Sequence, residues 1–228
     1  MSTATARTQV KESRRVNLLP VVSRRGAMWL LLVTVVSACV NLGPGTPPRA
    51  PTYVLEPTVP AAQLASSGIA VGVGPVTVPG YLDRNEMVSR EAANQLRVDT
   101  RHSWGSPLEQ EVLRVLGEDL SRLLQSDRVV VWPWARQRDI AVRVPVQVLQ
   151  FEPVAGKGIV LVARWELQSP DAAKVLFTRQ SEIVEPVTTE GGPGAYAAGM
   201  SRALAVLAGQ IADAVRTVPA PPRSDGAG

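Results

Sequence analysis

Cys39 is the only cysteine and His102 the only histidine among 228 residues, so chemistry that needs a thiol or an imidazole must run through one of these two side chains. A single cysteine excludes an intrachain disulfide framework, a four-cysteine zinc site and a CxxC redox pair. A single histidine excludes a two-histidine metal motif such as HExxH and leaves one imidazole for any serine, histidine and acid triad. His102 sits between Arg101 and Ser103 in a polar stretch, with neither a paired nucleophile nor an acid expected beside it, and a catalytic role is not assigned to it. Cys39 is different. It closes the run Val36-Ser37-Ala38-Cys39, an aliphatic residue, two small residues and cysteine, which matches the bacterial lipobox. The spacing has a chemical reason: small side chains fit the signal peptidase before the scissile bond, and only the thiol can take a diacylglyceryl thioether. Cys39 is therefore expected to be lipidated and to become the first residue of the mature protein.

The segment before it supports that reading. Arg7, Lys11, Arg14, Arg15, Arg24 and Arg25 face only Glu12 in residues 1–38, and an uncharged run of 13 residues, Gly26 to Ala38, follows. As a helix that run would span roughly 20 Å, short of a hydrocarbon core of about 30 Å, so it reads as the apolar part of a signal peptide. The alternative, an uncleaved membrane helix, meets Asn41, Gly43, Pro44, Pro47 and Pro48 immediately afterwards. Ser23-Arg24-Arg25 resembles a twin-arginine export signal, with Ser13-Arg14-Arg15 as a competing doublet, and the export route stays open. Three acyl chains exceed the two-signal threshold for stable anchoring, so the fold can remain water-soluble. Val40, rather than aspartate, follows the cysteine, and under the enterobacterial sorting rule the destination is the outer membrane. Residues 39–51 are rich in proline and read as an extended tether with a reach of about 37 Å. Residues 217–228, with Pro219, Pro221 and Pro222, read as a disordered tail.

The formal charge of +4 belongs to the leader, because the remaining residues carry 18 cations against 19 acids. No basic cluster interleaved with aromatics survives beyond residue 38, so phosphate-driven nucleic-acid binding is not expected. Residues 52–216 are long enough to bury one core. Within them Gly68 to Val78 alternates β-branched residues with glycines as a strand does. Its VGVGP portion superficially resembles a phosphate loop, yet Pro75 and more strand follow Gly74 where a helix N-terminus would be needed. Met87 to Arg90 and Gln95 to Val98 read as two short strands around Ala93-Asn94. Ser106-Pro107-Leu108-Glu109 reads as a capping box opening a helix to about Gln125, with proline at its first position. Leu108, Val112, Val115, Leu116, Leu120 and Leu123 form its apolar stripe, while Glu111, Arg114, Glu118 and Arg122 lie elsewhere. Gly117 inside this helix suggests the close approach of another backbone. Val129 to Val131 is a short strand. Ile140 to Phe151, Ile159 to Leu167 and Lys174 to Val184 read as a meander, turned at Ala155-Gly156-Lys157-Gly158 and Ser169-Pro170-Asp171, with Pro145 predicting a bulge or an edge. A second helix runs from near Gly194 to Arg216, with Gly199 and Gly209 permitting tight packing. The expected class is α+β: a mainly antiparallel sheet with two principal helices packed on it, in a single domain.

The remaining candidate contacts have ordinary explanations beside the functional ones. Asp83 and Arg84 read first as a turn-stabilising ion pair and second as a partner contact. Trp132 and Trp134 read first as core packing, with a ring at a subunit boundary as the alternative.

The order Tyr53-Val54-Leu55, Val73-Gly74-Pro75-Val76, Pro79-Gly80-Tyr81-Leu82-Asp83-Arg84, Met87-Val88-Ser89-Arg90, Trp104 with Pro107-Leu108, and Tyr196 to Val215, all behind the lipobox, resembles the ABC-type transport auxiliary lipoproteins, the PqiC or YmbA group. The resemblance spans residues 36 to 216. It implies a sheet-and-helix domain at the periplasmic face of the outer membrane, working beside an inner-membrane complex with MCE-domain subunits that moves lipids. It also implies homo-oligomers, with no catalytic residue, metal or cofactor. Two other classes are weighed against it: a periplasmic lipid carrier with an acyl-chain cavity, and an envelope hydrolase working through His102.

Overall fold

The computed structural model describes residues 51–65, 69–134, 139–187 and 191–218. The lipobox residues Val36, Ser37 and Ala38, the lipidation candidate Cys39, all of the tether except Pro51, and the tail beyond Val218 lie outside the described residues. Eight strands and two helices are described: β1 Thr52–Tyr53, β2 Val71–Thr77, β3 Glu86–Ala92, β4 Gln95–Trp104, α1 Leu108–Leu124, β5 Val129–Val131, β6 Val142–Val154, β7 Gly158–Gln168, β8 Val175–Glu185 and α2 Gly192–Thr217.

All eight strands join one sheet. β6 is its axis. One edge of β6 carries β7 and then β8 as an antiparallel meander, as the strand periodicity predicts. The opposite edge is shared, with β2 along the first half of β6 and β3 touching it at Arg90 and Val154. β5 lies outside β2, β4 outside β3, and β1 outside β4. The α+β class holds, but the sheet is mixed rather than mainly antiparallel. Four of its seven pairings are parallel: β1 with β4, β2 with β5, β2 with β6 and β3 with β6. The three antiparallel pairs join strands that follow one another in the chain, whereas the four parallel pairs join strands that do not: β5, for example, returns beside β2 only after β3, β4 and α1.

The strands bury alternate residues, and the two helices cover that face, α1 over β2 and β5, α2 over β6, β7 and β8. Val112, Val115, Leu116 and Leu120 of α1 meet Leu204, Leu207, Ala208 and Ile211 of α2 in one core cluster with Phe151, Leu161 and Trp165 of the sheet. Pro145 lies at an irregularity, as expected, because the β2–β6 register breaks between Val73 and Val76 opposite it. Gly74 supplies the break with φ at +103°, and the absence of its Cβ leaves room for the Cβ of Trp132.

The start of α1 differs from expectation. Pro107 is the N-cap rather than the first helical residue, no side chain caps this end, and the Pro107 carbonyl accepts from the amides of Gln110 and Glu111. The helix begins one residue later than a Ser106 box requires, which moves Glu109 out of reach. At Gly117 the close neighbour is a side chain: an added Cβ would collide with Cγ1 of Val131. Gly199 is likewise pressed, by Val187 and Ile159, whereas Gly209 has open space around it and no packing role.

Candidate functional site

An extended segment without a sheet partner must find hydrogen bonds for its backbone elsewhere. Residues 54–59, which follow β1 and therefore the tether, find them on the helices. The Leu55 amide donates to Glu111 Oε2 at 3.0 Å, the Glu56 amide to Ser201 Oγ at 3.0 Å and the Val59 amide to Asp119 Oδ1 at 3.1 Å. Arg114 donates to the Leu55 carbonyl, and Arg122 to the Val59 carbonyl at 2.8 Å. Glu111 and Asp119 are buried, so Glu111 is a clamp on this strap rather than a group on an outer face of α1. Among the described residues Asp119 Oδ2 has no hydrogen-bond partner, and burial pushes its carboxyl above the ordinary range. Leu55, near the start of the strap, is fully buried.

A second buried network fixes the turn that carries Asp83 and Arg84. Glu152 of β6 is wholly buried and accepts four hydrogen bonds: from Arg90 Nε at 2.7 Å and Gln150 Nε2 at 3.0 Å on Oε1, and from Tyr81 Oη at 2.8 Å and the Phe151 amide at 3.0 Å on Oε2. Burial, reinforced by the bond to Glu152, pushes the Tyr81 phenol up to about 12. Arg90 is held above its usual value mainly by its bond to Glu152. The turn is thus anchored at Tyr81 while Asp83 and Arg84 stand exposed. Among the described residues the two make no ion pair with each other, so the turn is held by the Leu82 amide on the Pro79 carbonyl and by Tyr81. The structure does not bring Asp83 and Arg84 together with the tryptophans.

Beside Arg90 the β3–β4 hairpin, the β6–β7 turn and the start of α2 enclose an open cleft of about 660 Å³, lined by Ser89, Arg97, Pro153, Lys157, Val187 and Tyr196. A smaller hollow of about 220 Å³ shares Ser89, Arg97, Pro153 and Tyr196 with it and extends to Met87, His102, Trp104 and Met200. His102 does have an acid beside it, contrary to expectation. Its Nδ1 lies 2.7 Å from Asp99 Oδ2, and the ionised carboxylate can only accept, so Nδ1 carries the proton. Burial raises the Asp99 carboxyl, but the Arg101 amide at 3.0 Å and the His102 ring outweigh it and hold the group below its usual range. The strand expected to end at Val98 runs on to Trp104, and its register with β3 breaks between Asp99 and Ser103, where the Asp99 and His102 side chains meet. Among the described residues no hydroxyl or thiol is hydrogen-bonded to this ring, and no three His, Cys, Asp or Glu side chains converge on a point. The cleft is lined by both charges, Arg97 paired with Glu91 at 3.5 Å and Lys157 beside them, together with apolar Pro153, Val154 and Val187; Arg101 lines the smaller hollow and faces Asp99.

The tryptophans divide. Trp134 is buried and Trp132 is exposed, in edge-to-face contact at 4.9 Å between ring centroids. Packing therefore accounts for one ring only.

No curated protein matches this chain. Among solved structures, an uncharacterized protein aligns over 72% of this chain and 97% of its own at 20% identity with a TM-score of 0.56. Protein XCC0632 from Xanthomonas campestris, of family DUF330, aligns over 71% and 90% at 16% identity with a TM-score of 0.50. These likenesses show the fold. A family model for the ABC-type transport auxiliary lipoprotein component matches residues 53–212, from β1 through most of α2, and the chain belongs to that family.

Proposed function

We propose that this protein is a lipid-anchored docking subunit: Cys39 carries the acyl chains, residues 39–51 set the standoff from the outer membrane, and residues 52–216 contact an MCE-domain protein of an inner-membrane lipid transporter, as part of a homo-oligomer. Turnover is left to the ATPase of that system, and residues 1–38 act as the signal peptide. The family is one of transport auxiliary lipoproteins, which supports the anchor and the transporter partner. The observation that carries the reading is the strap. The first described residues after the tether are not a loose linker but are fastened by five side chains to α1 and α2, so that a membrane leash at Cys39 would be joined firmly to the folded body. Among the described residues no helix is long and apolar enough to cross a membrane.

The test replaces Cys39 with alanine in the full-length chain. Loss of radiolabelled lipid and release from the membrane fraction are expected. Unchanged fractionation would overturn the anchor. Crosslinking followed by capture of the wild-type chain is expected to recover an MCE-domain protein, and recovery without one would overturn the docking role.

A further inference from the structure

Two buried carboxylates of α1 hold the strap, and they differ in one respect. Glu111, which accepts the Leu55 amide, has a cation of its own, Arg114 at 2.9 Å from Oε2. Asp119 is fully buried and accepts the Val59 amide on Oδ1, yet among the described residues Oδ2 has no hydrogen-bond partner and no cation is bonded to the carboxylate. Of its charged neighbours on α1, Arg122 is directed to the Pro57 and Val59 carbonyls and, at 3.5 Å, to Glu118, whose carboxylate also receives Arg114. On α2 the charged side chains are engaged elsewhere, Arg202 with Glu185, and Arg216 with Asp213 and the Leu123 carbonyl. β2 and β5 carry no charge, and Glu56 of the strap is exposed. A buried carboxylate with one bare oxygen is unfavourable, and it is relieved when the group takes a proton or when water reaches it.

The strap is the path for that water. Residues 57–59 belong to no strand and are held to α1 through Asp119 and Arg122. Before them, the Leu55 and Glu56 amides are fixed on Glu111 and Ser201, and the Leu55 side chain is buried. After them, the Ala65 amide donates to the Gln125 carbonyl at 2.9 Å. We infer that residues 57–64 form a flap, hinged at Glu56 and Ala65, that closes over neutral Asp119 and lifts when Asp119 ionises, while the Leu55 end stays fastened. Lifting hydrates Oδ2 and breaks the Val59 bonds; closing expels the water and favours the proton. The sign follows from linkage: burial raises the Asp119 carboxyl only while the flap is closed, so the closed state binds the proton more tightly and acid favours it. The strap thus has one permanent end and one conditional end, because only the first carboxylate brings its own counter-charge. The device belongs to the strap and stands whether or not Cys39 carries lipid.

The test is hydrogen exchange of the full-length chain in mild detergent from pH 4 to pH 7, each rate corrected for the intrinsic pH dependence of amide exchange. Pro57 and Pro60 have no amide, so residues 57–60 report Thr58 and Val59 alone. One proton separates the two states, so protection of Val59 should fall by about tenfold per pH unit above the ordinary aspartate value and level off once the displaced value is passed. Protection of the Leu55 amide should not fall with it. Asp119→Asn keeps an acceptor for Val59 and removes the charge, and its Val59 protection should be independent of pH. A wild-type Val59 profile that stays flat would overturn the flap, and so would a fall that Leu55 shares in full, which would mean that the whole domain opens. An Asp119→Asn profile parallel to the wild type would overturn the assignment of the switch to this carboxylate.

Discussion

Replacing Glu152 with glutamine changes shape by almost nothing and charge by one, which makes it a sharp probe of the network under the Tyr81 turn. Each carboxylate oxygen receives two donors, Arg90 and Gln150 on one, Tyr81 and the Phe151 amide on the other. Gln150 can flip its amide and Tyr81 can rotate its hydroxyl, but Arg90 Nε and the Phe151 amide can only donate. Whichever way a glutamine amide turns, its NH₂ faces one of those two fixed donors. The substitution also leaves the Arg90 guanidinium, whose side chain is only 21% exposed, without a counter-charge. Removing one partner of a buried pair costs about 4 kcal/mol, against about 2 kcal/mol for Tyr81→Phe, which loses one hydrogen bond to a charged acceptor. With a urea dependence of about 2 kcal/mol per molar, the midpoint of Glu152→Gln falls by about 2 M and that of Tyr81→Phe by about 1 M. Tryptophan fluorescence reports the transition, since Trp165 and Trp104 are buried in the same core. If Glu152→Gln moves the midpoint no further than Tyr81→Phe does, the charge does not hold this turn and the argument fails.

The same network sets an alkaline limit. Because the Tyr81 phenol is raised to about 12, its contribution is complete below the ordinary phenol value near 10 and is lost as pH rises through 12; ultraviolet titration should show a phenolate step near pH 12 that disappears in Tyr81→Phe. Asp119 works in the acidic range with the same sign: its raised carboxyl favours the fold fully below the ordinary aspartate value and less as pH climbs through the displaced one. Asp119→Asn should therefore flatten the fall in urea midpoint as pH rises above the ordinary aspartate value, and a variant whose pH profile parallels the wild type would contradict this. Gly117→Ala gains helix propensity but drives a methyl into Val131. It should lower the melting temperature by the equivalent of about 1 kcal/mol, and Val131→Ala in the same chain should restore it; no restoration would mean that the clash is not the cause.

Periodicity made most of the elements legible. The meander of β6, β7 and β8, both helices and the hairpin of β3 and β4 follow from alternation, helical stripes and turn residues that act over a few positions. The parallel pairings were not legible, because nothing local in Thr52-Tyr53 or in Val129 to Val131 says that these strands lie beside β4 and β2. The buried acids were missed for a related reason. Glu111 and Asp119 look like solvated helix residues until the strap is laid over them, and Glu152 sits in an apolar strand where a lone carboxylate should itself have prompted a search for its cation. The fate of the two tryptophans depends on which side of one turn each ring falls, a matter of tertiary packing that spacing alone does not decide.

Glu111, Arg114, Asp119 and Arg122 stand at intervals of three, five and three residues, which on a helix keeps them within one broad stripe beside the apolar one. A stripe rich in charge on an amphipathic helix is ordinarily read as a solvated face open to a partner. Here its hydrogen-bonding capacity is already committed to the backbone of residues 55–59. A ligand or partner that sought those groups would have to displace the strap and leave several peptide groups unpaired, at a cost of about 1–3 kcal/mol for each. The stripe is therefore internal wiring. Among the described residues, the surfaces left to meet other molecules include Lys157 at the cleft and the exposed Asp83–Arg84 turn, while Arg97 and Arg101 at the same cleft already face Glu91 and Asp99.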